Sequence, residues 1–424
     1  MSQVAANPAE GLTGFRNNRW VQLIVAIIIM VMIAGVEYGW SKYAKPMQHE
    51  LNAPLDAIQY AFTIGIISWG IGQPLVGFVV DRIGPRWVTV ACGLAVGIGW
   101  MMMGQVHSLG GLYFWYFIAG LGGGLVYGVA IGTSSRWFPD KRGLANGLVA
   151  SGFGAGSLVF LPIISSSLKH SVSSAFFNVG IVQLVVIVLL AFVLKWPATQ
   201  KVEKVKKVAG EGDLTPGKIL QTGQFWLLWI TFFGMQLGGL LLTANSVPFA
   251  KSVGISAAFI TTALTMQNLA NGGSRIFWGW ISDHLGRYRT MGLAFFLNAV
   301  VFVLFPTLSK SGAGFVLAVA LAFLTWGEIY SLFPSVSADV FGTTYSTTSY
   351  GLLYSAKGVG GVFGGGFGAY IAMKMGWQGA FTIAAAFALF SAVMAMFVIP
   401  KFTKAKLTAD PTFPAAAEDG TTIK

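Results

Sequence analysis

Twelve long apolar runs constrain this chain more than any other feature of its 424-residue sequence. Each approaches the ~20 residues that an α-helix needs to cross the hydrocarbon core of a bilayer. Only 10% of the residues are charged, whereas soluble globular chains carry about 25%. The sequence therefore predicts an all-α membrane protein with twelve transmembrane helices in a lipid bilayer. The runs cover residues 20–42, 57–80, 86–106, 110–134, 144–168, 173–195, 225–250, 256–281, 290–309, 312–338, 347–373 and 377–399.

The reactive residue types are sparse and badly placed for catalysis. Cys92 is the one cysteine, so neither a disulfide framework nor a cysteine-based metal site is available. The four histidines lie in or near predicted loops, and no nucleophile with a base is expected at membrane depth. We therefore expect no enzyme, no catalytic residues, no metal and no cofactor. A membrane sensor is the alternative outside transport, but it would be expected to carry a soluble signalling domain.

Polar segments divide the chain. We expect a six-helix half at residues 1–196, a cytoplasmic central loop at 197–224, a second half at 225–400 and a disordered cytoplasmic tail at 401–424. With both termini inside, 19 of the 27 Lys and Arg residues lie on the cytoplasmic side, six lie outside and two lie within runs. This asymmetry follows the positive-inside rule. The net charge of +12 is thus explained by topology, and no nucleic-acid partner is expected.

A short motif occurs twice, after the second run and again after the eighth. Its copies are 202 positions apart in the sequence. A repeat of this length indicates two similar helical halves in the same orientation. The copies read GFVVDRIGPR at residues 77–86 and GWISDHLGRYR at residues 279–289.

The doubled motif, together with twelve spans, resembles the major facilitator superfamily. The resemblance implies alternating access, in which two six-helix halves rock around a central site. It also implies that the motif closes the cytoplasmic side by pairing with charges or helix ends. The alternative is that these residues only set topology. The gate residues implied are Gly77, Asp81, Arg82, Gly84, Arg86, Gly279, Asp283, Gly286, Arg287 and Arg289.

Four ionisable side chains lie inside predicted spans: Glu37, Arg275, Glu328 and Lys357. Charges at membrane depth are costly, and those that persist usually face a polar cavity and a partner. Two cations that face one cavity suit a small carboxylate, which arginine binds bidentately and lysine binds as a point charge. For Arg275, snorkelling to the interface is the alternative.

Aromatic residues on nearby spans are candidates to line such a cavity, although ordinary packing is the alternative for each one. Trp326 and Tyr330 are four residues apart, and Tyr354 and Lys357 are three apart, so each pair shares a helix face. The aromatic candidates are Tyr38, Tyr127, Trp326, Tyr330 and Tyr354.

A narrower resemblance, to the bacterial oxalate/formate antiporter family, runs through both halves. It implies a carrier in the bacterial inner membrane that functions as a monomer and holds a small carboxylate with an arginine in span eight and a lysine in span eleven. It also implies an aromatic cage and a glutamine in span two. These positions match Arg275, Lys357, the five aromatic candidates and Gln59. The stretches that carry the resemblance are VEYGW (36–40), SRWFPDKRGLA (135–145), NSVP (245–248), QNLANGGSR (267–275) and TWG (325–327).

Three residues depart from that family, which has glutamine at Glu37, glycine at Glu328 and tryptophan at Tyr354. If both acids and both cations were charged, the formal charge of the site would be 0 instead of +2. A dianion would need one acid to be neutral or turned away, and burial favours the neutral form. Proton-coupled uptake of formate, lactate or pyruvate through Glu37 or Glu328 is therefore the alternative to oxalate/formate exchange. A further alternative is that Glu328 pairs with a site cation until substrate displaces it.

Overall fold

The computed structural model describes residues 15–34, 40–197, 213–362 and 368–402. Every regular element within these ranges is helical. The α-helices are α1 (Arg19–Ile33), α2 (Trp40–Glu50), α3 (Leu55–Ile83), α4 (Pro85–Met103), α5 (Leu109–Trp137), α6 (Arg142–Ser167), α7 (Val172–Ala191), α8 (Pro216–Leu220), α9 (Gly223–Ser252), α10 (Ala257–Leu285), α11 (Arg287–Leu308), α12 (Gly312–Leu324), α13 (Ile329–Phe341), α14 (Ser346–Val362) and α15 (Gly368–Val393).

The helix limits follow the apolar runs, but the count of twelve spans stays a prediction. Within the described ranges, eight helical segments are long and apolar enough to cross a membrane, or nine if α3, bent by 42° after Leu75, is one span. Of the first predicted run, the described residues lie in α1 and at the beginning of α2. Helices α10 and α14 are not among the eight, and they are the helices that carry Arg275 and Lys357.

Two boundaries differ from a simple reading of the runs. The run at residues 312–338 is divided by a turn at residues 325–328, where the backbone tightens and Ile329 N donates to Trp326 O at 3.4 Å. Such i→i+3 stretches within a span often mark a hinge. The last two runs meet inside α15 at Gly376, whose φ of 72° is readily adopted only by glycine.

Glycine lets α6 and α10 come into backbone contact. A Cβ on Gly143 would overlap the carbonyl oxygen of Gly279, and a Cβ on Gly147 would overlap that of Arg275. Small residues are what allow helix backbones to approach so closely in membranes. The contact therefore brings the backbone of Arg275 directly against α6.

Helices α3 and α14 meet in the same way. A Cβ on Gly77 would overlap the backbone of Thr348, and a Cβ on Gly351 would overlap the carbonyl group of Gln73. The two close contacts, α6 with α10 and α3 with α14, each involve a glycine of the repeated motif. The sequence repeat is thus also a repeat of helix packing.

The α6–α10 contact predicts a large difference between two glycine substitutions on α10. Gly279→Ala places a methyl group against the backbone of Gly143, which yields only if the helices separate, at a cost of about 1–3 kcal/mol. We expect a lower thermal unfolding midpoint for the purified protein. Gly273→Ala, with nothing within 4 Å of its Cβ, is the matched control and should not lower the midpoint. Equal thermal unfolding midpoints for Gly279→Ala and Gly273→Ala would show that the close contact between α6 and α10 is absent.

Candidate functional site

A cavity of about 50 Å³ lies among α5, α6, α9, α10, α14 and the segment formed by α12, α13 and the turn between them. One water needs about 10–15 Å³ by this measure, so the cavity suits a few waters or one molecule of a few non-hydrogen atoms. Six of the predicted site residues line it together: Tyr127, Arg275, Trp326, Tyr330, Tyr354 and Lys357.

Arg275 is held in place by neighbours on three helices, α6, α10 and α13. Its side chain is buried, its Nη1 donates to Ala150 O of α6 at 2.6 Å, and its Nη2 donates to Asn271 Oδ1 at 3.3 Å. Its Cζ lies 4.6 Å from the centroid of the Tyr330 ring. The guanidinium thus points into the bundle beside the cavity, and not along the helix to an interface.

Lys357 approaches the same ring from α14. Its half-buried ammonium donates to the Tyr354 hydroxyl at 3.2 Å and lies 5.5 Å from the centroids of both Tyr330 and Tyr354. A cation over an aromatic face is attracted by the ring quadrupole. Tyr330 is therefore a common neighbour of the two cations.

The aromatic side chains form a continuous wall. The centroids of Tyr127 and Tyr354 are 5.5 Å apart, those of Tyr330 and Tyr354 6.2 Å, and those of Trp326 and Tyr330 5.5 Å. Trp326 Nε1 donates to Met235 O at 2.9 Å, which fixes the indole. A wall of rings lowers the local dielectric and so strengthens the attraction between the cations and an anion.

Six lining residues were not anticipated from the sequence. Gln267, Asn271 and Arg275 are spaced by four residues and so share one face of α10, and this spacing is a signal that the sequence does contain. The others are apolar or hydroxyl side chains on helices that are mostly apolar around their circumference, where no pattern marks one face. The six are Phe153, Leu240, Thr243, Gln267, Asn271 and Phe323.

Three predicted site residues are outside what the structure describes: Glu37 and Tyr38 lie outside the described residues, as does the side chain of Gln59. Within the described ranges, no cluster of three or more His, Cys, Asp or Glu residues is placed to hold a metal ion.

Glu328 lies beside the cavity without lining it. Its residue is 0% exposed, so it does not face lipid, and its Oε2 accepts a hydrogen bond from Ser274 Oγ at 3.5 Å. Among the described residues it forms no ion pair, with Arg275, Lys357 or any other cation. The pairing of Glu328 with a site cation is therefore not found in this conformation.

The first copy of the repeated motif caps a helix at one end of the bundle. Asp81 accepts from Arg136 Nη2 at 2.7 Å, from Thr348 N at 3.2 Å and from Thr348 Oγ1 at 2.8 Å. Thr348 lies in the first turn of α14, where a carboxylate satisfies free N–H groups and favours the helix dipole. Arg136 supplies the charge, whereas Arg82 is exposed and Arg86 is half-buried.

The second copy repeats this geometry on α6. Asp283 accepts from Gly143 N at 2.9 Å, from Leu144 N at 2.8 Å and from Arg287 Nη1 at 2.5 Å. Arg289 is exposed. In both copies a glycine four residues before the aspartate makes room for the helix end that the aspartate caps.

The motif glycines that follow the aspartates have closely similar conformations. Gly84 has φ 89° and ψ 169°, and Gly286 has φ 90° and ψ 148°. Each ends one helix and begins the next, which requires the positive φ that glycine adopts without strain. Asp339 adds a third link by accepting from Arg142 Nη1 and, at 3.1 Å, from Arg287 Nε. We call this end of the bundle, with Asp81, Asp283 and Asp339, the charged end.

A bundle of apolar helices around a small cationic and aromatic cavity, latched at one end by charges, defines an α-helical membrane transporter. The chain belongs to the Major Facilitator Superfamily, whose sequence model matches residues 23–249 and again residues 234–419. Its relatives are transporters and not enzymes, and the same holds for this chain.

Two curated relatives and one solved structure show how far the similarity extends. The chain is 46% identical over 398 residues to the oxalate:formate antiporter of Oxalobacter formigenes, covering 93% of this chain and 95% of the relative, so the predicted resemblance is confirmed. It is 24% identical to monocarboxylate transporter 13 of Bos taurus, over 91% of this chain and 89% of that protein. The proton:xylose symporter XylE, solved with bound 6-bromo-6-deoxy-D-glucose, matches with a TM-score of 0.71 over 88% of this chain and 94% of its own, at 13% identity, and shares the fold.

The charged end predicts unequal effects for two aspartate substitutions. Asp81→Asn leaves Arg136 without its counter-charge, and both side chains are at most 2% exposed, so we expect a loss of about 3–5 kcal/mol. Asp339→Asn removes a carboxylate that is 36% exposed, for which about 0–1 kcal/mol is expected. Thermal unfolding midpoints of the two purified variants check this, and a larger loss for Asp339→Asn would contradict it.

Proposed function

We propose that this chain is a secondary active transporter that exchanges small carboxylates by alternating access, with anions of the oxalate and formate class as its substrates. One observation carries the proposal: Arg275 and Lys357 flank the same Tyr330 ring at the edge of one small cavity. The 46% identity to an oxalate:formate antiporter supports the same substrate class.

The two cations have complementary tasks in this proposal. The planar guanidinium of Arg275 binds one carboxylate through two parallel hydrogen bonds, and the ammonium of Lys357 attracts the other end of the molecule as a point charge. A dicarboxylate reaches both anchors, whereas a monocarboxylate engages one and leaves more freely. The ring wall excludes bulkier anions, since the cavity of about 50 Å³ holds only a few non-hydrogen atoms.

The proposed architecture is two six-helix halves, at residues 1–196 and 225–400, joined by a loop at 197–224 and followed by a tail at 401–424. The family model matches the chain twice in succession, which supports this division. Helices α3 and α6 then belong to the first half, and α10 and α14 to the second. The two glycine contacts lie between the halves, on the surfaces that separate when the halves rock.

Substrate binding acts on that boundary through Arg275. Its Nη1 is bonded to Ala150 O, which belongs to the other proposed half. A carboxylate that forms a bidentate pair with the guanidinium competes with this hydrogen bond. Binding therefore weakens the contact between α6 and α10. Binding thereby favours the rocking movement that opens the site to the other side of the membrane.

We assign the transporter to a bacterial inner membrane, as a monomer with both termini in the cytoplasm. The charged end then faces the cytoplasm, because the motif loops and most Lys and Arg residues belong to that side. The ion pairs and helix caps of Asp81 and Asp283 hold this side closed in the present conformation.

Exchange is tested by the uptake of labelled oxalate into proteoliposomes with formate inside, compared with empty ones. We expect uptake that needs internal formate. Arg275→Gln and Lys357→Gln each remove a charged anchor, at a cost of about 2–5 kcal/mol, which is thirtyfold or more in affinity by roughly 1.4 kcal/mol per tenfold.

The matched control for this experiment is Lys251→Gln, since Lys251 is an exposed cation at the end of α9 and does not line the cavity. Its uptake should equal that of the unaltered protein. Normal exchange by either Arg275→Gln or Lys357→Gln would remove the basis of the two-cation site.

A further inference from the structure

Glu328 is a buried carboxyl group that the proposed exchange does not use. It occupies the tightened turn between α12 and α13, with 0% of its surface exposed. Ser274 Oγ donates to its Oε2 at 3.5 Å, and its Oε1 has no hydrogen-bond partner among the described residues. An ionised carboxylate in such a setting costs several kcal/mol unless a counter-charge and hydrogen bonds compensate it.

The helices packed against α13 offer no such counter-charge in this conformation. Arg136, Arg142 and Arg287 are engaged at the charged end with Asp81, Asp283 and Asp339. Arg275 and Lys357 are within the cavity wall, and neither forms an ion pair with Glu328 among the described residues. The cations on these helices are Arg136 (α5), Arg142 (α6), Lys251 (α9), Arg275 (α10), Arg287 and Arg289 (α11) and Lys357 (α14). The remaining titratable side chains nearby are the phenols of Tyr127, Tyr330, Tyr350 and Tyr354.

Glu328 is connected to the carboxylate anchor through one face of α10. A Cβ on its neighbour Gly327 would lie 2.6 Å from Asn271 Oδ1, the same atom that accepts a hydrogen bond from Arg275. Ser274, the donor to Glu328, directly precedes Arg275 in the chain. Glu328 and its neighbour Gly327 thus contact Ser274 and Asn271, which are the residue before Arg275 and the residue that accepts its hydrogen bond.

We propose that Glu328 is a proton-binding site, separate from the carboxylate cavity, which is protonated in this conformation and whose proton binds cooperatively with the carboxylate substrate. When Glu328 is protonated it is neutral and does not compete with the substrate carboxylate for Arg275. With the proton off, the carboxylate of Glu328 attracts Arg275 and competes with the substrate for it. The inference rests on the proposed function in that a small carboxylate is the second ligand.

The sign of the coupling follows from this competition. Affinity for the carboxylate is high at acidic pH, where Glu328 is protonated, and falls as rising pH ionises it. By thermodynamic reciprocity, carboxylate binding takes up a proton from solution. Coupling between two sites is typically about 5–150-fold in affinity, and that is the fall we expect across the titration.

The test is oxalate affinity of the purified protein as a function of pH, in the unaltered protein, Glu328→Gln and Glu328→Gly. Both variants are neutral, and glycine is the residue that the resemblance places at this position, which guards against a misfolded amide variant. In both variants, the decrease in oxalate affinity with rising pH that is due to Glu328 should be absent. Glu50→Gln, an exposed carboxyl at the end of α2, is the matched control and should keep it. If either Glu328 variant shows the same decrease in oxalate affinity at alkaline pH as the unaltered protein, the proposal is overturned.

A second readout needs no substrate. The infrared difference spectrum between the unaltered protein and Glu328→Gln should contain the carbonyl stretching band of a protonated carboxylic acid at neutral pH. If that band is missing, Glu328 is ionised and the proposal fails. If the band is present but oxalate and formate do not bind at any pH, the proton site stands and the proposed substrate class is wrong.

Discussion

A guanidinium buried inside an apolar helix bundle is the constraint on which the rest of this structure depends. Arg275 is only 3% exposed, and it is placed among a backbone carbonyl of α6, an amide oxygen of α10 and the Tyr330 ring. The carbonyl of Ala150 comes within reach only because Gly147 lets the backbones of α6 and α10 touch. The glycine content of these helices is thus a requirement of the site as well as of packing.

The repeated motif can be understood as one interaction made twice. In each copy a glycine makes room on the helix surface, and the aspartate one turn later caps the helix end that fills this room. Gly77 and Asp81 both meet Thr348 on α14, and Gly279 and Asp283 both meet Gly143 on α6. The four-residue spacing of glycine and aspartate follows, because it places both on one face of their helix.

The apolar runs predicted the helix limits well because the helices are separated by polar loops or by glycines with positive φ, both visible in the sequence. The turn at residues 325–328 was not predicted, since it consists of tightened backbone hydrogen bonds inside an uninterrupted span. Arg275 and Lys357 stood out because cations are rare at membrane depth.

The contribution of Arg136 to the charged end was not foreseen, because a basic residue at the end of a span reads as a topology signal. Its partnership with Asp81 joins α5 to the end of α3 and becomes visible only once those helices are placed side by side. The same holds for Phe153 and Phe323, whose roles as cavity wall depend on which side of an apolar helix faces inward.

If the two proposals hold, the contrast between an anion exchanger and a proton-linked carrier depends on the charge of one side chain, Glu328, beside the cavity. In the proposed exchange, a neutral group at position 328 sets no second carboxylate in competition with the substrate for Arg275, whether that group is a protonated acid or no side chain at all. An ionised acid at the same place sets a competitor beside the anchor. The fold, the cavity wall and the latches at the charged end are unaffected by that choice. In the proposed scheme, a single buried carboxyl group is sufficient, in physical terms, to add proton linkage to an anion exchanger, because its charge decides whether Arg275 has one carboxylate or two to attract.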